Sequence, residues 1–114
     1  MLTLDRLRAY GANTEEGMAR CLNRESFYFR LVGMSAEDAN FDRLSAALEK
    51  GDLKEAFEAA HALKGAWGNL ALTPLYVPTA ALTELLRAGR GDEENYLAEI
   101  KAQREKLRAI CRDE

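Results

Sequence analysis

The stretch LEKGDLKEAFEAAHALKGAWGNLALTPL, residues 48–75, decides the fold class. Gly51 stops one helical pattern, and Asp52 with Glu55 three residues on opens another at once. So short a connection makes the two helices antiparallel neighbours. From 53 to 70, Leu53, Ala56, Phe57, Ala60, Leu63, Trp67 and Leu70 recur at helical spacing and predict one helix with an apolar face. Thr73-Pro74 then reads as the N-cap and first position of the next helix. Pro78 either kinks that helix or marks its true start.

Outward from this hairpin, almost every break joins helix to helix. Upstream, Ser35 with Asp38 is read as the opening of a helix whose stripe is Phe41, Leu44 and Leu48. Earlier still, MLTLDRLRAYG carries Leu4, Leu7 and Tyr10 and stops at Gly11. Asn13 with Glu16 reads as a capping box. The segment 13–33 reads as one helix or two, with Asn23 a candidate break, and its ESFYFRLV leaves helix and strand both open. Downstream, Gly89 and Gly91 close a helix, and Asp92 opens a last one with Leu97, Ile100, Leu107 and Cys111 on one side. The expected architecture is all-α: an antiparallel up-down four-helix bundle with one or two additional N-terminal helices, in a single domain spanning 1–114.

Composition narrows the function. The 114 residues carry a net charge of −3 with both signs interspersed, so no basic stripe offers a grip on nucleic-acid phosphates. Cys21 and Cys111 lie far apart, form no CxxC and read as reduced, packed thiols. No apolar run approaches the roughly 18 residues of a membrane span, and the N-terminus lacks the apolar stretch of a signal peptide. A cytoplasmic chain is expected.

The chemistry gathers on His61, the single histidine. With about 100° per residue and Ala60 at the centre of the core stripe, His61 falls at about 100°, on the border. Gly68 falls at about 80° and Gly65 at about 140°. Side chains lean toward the helix N-terminus, so any side chain at 65 would cover His61. Each interior glycine weakens a helix by about 0.8–1.0 kcal/mol relative to alanine. Close packing of a neighbouring helix is one account of the two glycines. Their position beside the lone imidazole favours another: an exposed ring that a partner's backbone approaches, with Gly68 in the docking surface. Lys64, one turn after His61, offers a cation to negative charge arriving there, or lies along the surface as an ordinary lysine.

HALKG, His61 to Gly65, resembles the HxLKG motif of histidine-containing phosphotransfer (HPt) domains, bacterial stand-alone type. EEGMARCLNRESFYFRLV and the hairpin 48–75 are similar to that family's N-terminal and central helices, so the resemblance covers roughly residues 10–90. It implies a phosphorelay intermediate and not a kinase. His61 would accept a phosphoryl group from a receiver's phospho-aspartate and pass it to another receiver. Lys64 would help hold the group, and Gly65 would leave room for it. Mg²⁺ is expected on the partner receiver, and no cofactor on this chain. The implied partners are response-regulator receiver domains, of a hybrid sensor kinase and of a downstream regulator, with the chain itself a monomer. The family often has glycine ten residues after the histidine, where this chain has Ala71, a position read as packing at the helix end. The nearest competing reading is a degenerate HPt-like binding module that transfers nothing. A sensor-kinase histidine is disfavoured by Ala62 where an acidic residue is usual, and a di-iron bundle by the lack of a second Glu-x-x-His pair beside Glu58–His61.

Overall fold

The computed structural model describes residues 1–112, and these form seven helices. They are α1 (Leu4–Tyr10), α2 (Thr14–Arg20), α3 (Glu25–Ala36), α4 (Asn40–Lys50), α5 (Leu53–Asn69), α6 (Thr73–Arg87) and α7 (Tyr96–Arg112). No strand occurs among the described residues, so ESFYFRLV is helical. The segment 13–33 is two helices, broken where Leu22 and Asn23 both adopt left-handed φ, +61° and +54°.

The bundle is built from α4, α5, α6 and α7, each packed on the next, with α3 against α7. Gly51 stops α4 at φ +75°, a conformation that costs glycine nothing, and Asp52 accepts from the Glu55 amide to start α5. Leu44, Ala56, Ala60, Leu63, Trp67, Leu75, Leu82, Ile100 and Leu107 fill the centre. Leu53 and Phe57, assigned by the wheel to the core stripe, are only half-buried at its margin.

Three helix starts differ from the sequence reading. Ser35 does not open α4. It is buried near the end of α3, where its hydroxyl donates to the Val32 carbonyl, and the start of α4 is marked by the Asp38 carboxylate accepting from the Asn40 amide. Leu72 and not Thr73 is the cap of α6, which places Pro74 second in the helix. Asp92 acts from a distance: its carboxylate accepts from the Tyr96 and Leu97 amides, so α7 begins four residues later than its capping side chain. Pro78 lies inside α6 and is buried. Its missing N–H removes the i→i−4 donor to the Pro74 carbonyl, two residues after the ladder opens with the Tyr76 amide on the Leu72 carbonyl.

The N-terminal helices fasten the far end of α5. A helix ends with four carbonyls lacking intrahelical donors. Here the Arg20 guanidinium donates to the Gly68 carbonyl at 2.5 Å, the Tyr28 hydroxyl to Leu70 at 3.0 Å, and the Asn13 amide to Ala71 at 2.9 Å. Burial first, then the field of Cys21, pushes the Tyr28 hydroxyl up to about 12, so it stays a donor.

Candidate functional site

His61 sits mid-way along α5 with its side chain exposed, as its border angle and the two glycines beside it predict. Among the described residues neither imidazole nitrogen has a hydrogen-bond partner. Its ring stacks on that of Phe57, a turn earlier: the ring centroids are 5.7 Å apart and the planes 17° from parallel. Glu58, the carboxylate of the Glu-x-x-His spacing, faces away into an ion pair with Arg43 of α4 at 3.1 Å. No group of three or more His, Cys, Asp or Glu able to hold a metal occurs among the described residues.

The two glycines do different work. A Cβ built at Gly65 meets nothing within 4 Å. No neighbouring helix needs that space, so the packing account fails at this position. A Cβ at Gly68 would lie 2.9 Å from the Tyr76 ring. Tyr76 of α6 closes over Gly68, and the absent side chain lets α5 and α6 approach. Both glycines nonetheless line one open groove with Asn13, Glu16, Arg20, Lys64 and Tyr76.

Lys64 is half-buried at the rim of this groove, and no carboxylate among the described residues lies within ion-pair distance of it. Arg20, opposite, is paired with Glu16 and held on the end of α5. The groove thus presents one cation without an ion-pair partner among the described residues, Lys64, and one structural cation, Arg20.

Trp67, bulkier than the residue usual at its place in the HPt pattern, is fully buried, and its indole N–H donates to the Ser35 carbonyl at 3.1 Å. It points away from the site. Ala71 is buried at the helix end and adopts φ +56°, so this position demands a left-handed backbone as well as close packing.

The Hpt domain family model matches residues 34–111, about two thirds of the sequence. The chain belongs to the Hpt domain family. Hpt domains carry phosphoryl groups on histidine in two-component signalling, as carriers and not as kinases. The Hpt match begins near the end of α3 and takes in α4 to α7, whereas the resemblance read from the sequence ran from about residue 10 to 90. No curated protein and no solved structure matches the chain. No helix among the described residues is long and apolar enough to cross a membrane.

Two features around the candidate site were missed in the one-dimensional reading. Asn13, Glu16 and Arg20 reach the groove from α2, outside the matched segment and some 50 residues away in the chain. Phe57 under His61 is an i, i+4 pair, so its spacing was a usable signal, but the wheel assigned the ring to the core.

Proposed function

We propose that this Hpt domain is a phosphorelay intermediate with His61 as phospho-acceptor. The observation that carries the reading is the exposed imidazole beside Gly65, whose missing side chain leaves its neighbourhood open. A neutral imidazole is a competent nucleophile near neutral pH. A ring nitrogen attacks the phosphorus of a receiver's phospho-aspartate, the P–O bond to the aspartate breaks, and the carboxylate leaves with the bonding pair. The other ring nitrogen keeps its proton or yields it to solvent. Onward transfer to a second receiver reverses these steps.

Lys64 places a positive charge beside the arriving phosphoryl oxygens, and Gly65 admits the receiver's loops. Mg²⁺ held by the receiver neutralises the rest of the charge. The partners are receiver domains, of a hybrid sensor kinase upstream and of a regulator downstream, and the chain works as a cytoplasmic monomer. The deciding experiment charges receiver domains with acetyl phosphate and mixes them with this chain and with His61→Gln. Wild type should gain acid-labile, base-stable phosphate and the variant none, with unchanged helicity. Acid-labile phosphate on His61→Gln would overturn the assignment. A folded wild type that binds a charged receiver yet takes no phosphate is a binding module instead.

A further inference from the structure

We propose that Phe57 is a positioning residue for His61, holding the imidazole plane so that its accepting nitrogen meets the receiver already oriented. The proposal rests on the reading of His61 as phospho-acceptor.

An exposed histidine samples several staggered rotamers unless something selects one. No hydrogen bond among the described residues does so here. What remains is the ring contact: centroids at 5.7 Å and planes 17° apart, an offset stack of the attractive kind. Helical geometry favours it, because the side chain at 61 leans toward the turn that carries 57. Phe57 is in turn held. Its ring packs on the margin of the core, and the Arg87 guanidinium of α6 stands 5.0 Å from its centroid. Arg87 is itself paired with Glu84 one turn back at 3.3 Å. The imidazole therefore has one turn of helix, with Phe57, beneath it and the open space of Gly65 on the other side.

Stacking of this strength shifts a rotamer population by about threefold to tenfold, and a reaction that needs one orientation is slowed by the same factor when the stack is lost. A small phosphoryl donor can approach from any side and should not sense the change.

The test compares wild type with Phe57→Leu and Phe57→Met, which keep apolar bulk without an aromatic face, and with Phe57→Tyr, which keeps the face. The donors are a receiver domain loaded with acetyl phosphate and Mg²⁺, and phosphoramidate. Because His61 is the single histidine, its ring protons report the stack directly by NMR. The Leu and Met variants should lose the ring-current shift and transfer about threefold to tenfold more slowly at saturating receiver. Receiver affinity should stay within about twofold and the phosphoramidate rate should not change, because orientation and not contact is lost. Phe57→Tyr should restore the wild-type rate. Wild-type rates at saturation in both non-aromatic variants would overturn the proposal, as would a change confined to affinity or a failure of Phe57→Tyr to rescue. If wild type itself gains no phosphate from either donor, the function proposed for His61 fails and this role falls with it; that outcome is separate because every protein in the series is then blank.

Discussion

The indole N–H of Trp67 donates to the carbonyl of Ser35 across 3.1 Å, joining the helix that carries His61 to the end of α3. Two turns of α5 separate the imidazole from this anchor, so a large aromatic beside the candidate site serves the core and leaves the surface clear.

Trp67→Phe should remove that bond and leave unfilled volume. The expected loss is about 2 kcal/mol, or on the order of 10 °C in Tm. The Ser35 carbonyl keeps the Asp38 amide at 3.2 Å, which limits the damage. An unchanged melting temperature would show that neither bond nor volume matters.

Ala71→Gly should stabilise the chain. A left-handed alanine at φ +56° carries a penalty of about 1–2 kcal/mol that glycine avoids, partly offset by glycine's greater freedom when unfolded. Thermal melts should therefore show a higher Tm for Ala71→Gly. A lower one would mean that the buried methyl contributes more than the backbone strain removes.

Glycines at 65 and 17 should respond with opposite signs. Gly65→Leu adds a side chain into open space and gains most of about 0.8–1.0 kcal/mol of helix propensity, while covering His61 and blocking transfer from a receiver. Gly17→Ala drives a methyl to 2.6 Å from the ring and hydroxyl of Tyr28, which is fully buried and tied to Leu70, so it should cost about 1–3 kcal/mol. Melts and transfer rates on the two variants, read together, check both halves. Destabilisation by Gly65→Leu would return that position to helix packing.

Acid should loosen the α4–α5 contact. The hydrogen bond from Arg43 to Glu55, at 2.6 Å, holds the Glu55 carboxyl below the usual carboxylate range, against some desolvation and with help from the charges of Arg43, Lys50 and Lys54. A depressed folded-state value means the contribution is complete above the ordinary value of about 4.3 and disappears as pH falls through the lower, folded one. Wild type should thus lose more Tm between pH 6 and pH 3 than Glu55→Gln, by a small and salt-sensitive margin because the pair is exposed. Parallel losses in the two proteins would remove Glu55 from the acid response.

Much of this architecture was legible in one dimension because helices are made of contacts three and four residues apart. Gly11, Gly51 and Gly89 stop helices by local backbone conformation, and the N-cap side chains of Asn13 and Asp52 start them by bonds within one turn. The exposure of His61 followed from its border angle on α5 read together with the two glycines beside it, since a helix's phase limits which residues can meet solvent. What the sequence could not decide depends on which elements meet. Gly65 and Gly68 look alike in the chain, yet only the approach of Tyr76 from α6 tells an open site from a packed one. Arg104 stands in the apolar stripe between Ile100 and Leu107, and it is tolerated there because the Ala36 carbonyl accepts from it at 3.0 Å and Phe41 lies under its guanidinium at 4.4 Å. The same holds for Arg20, whose place beside the groove is set by the Gly68 carbonyl at the end of α5 and by its pairing with Glu16. Local hydrogen bonding and periodicity made the helices and turned His61 outward. Satisfying orphaned polar groups and excluding overlapping atoms, which requires the partners in three dimensions, shaped the ground around it.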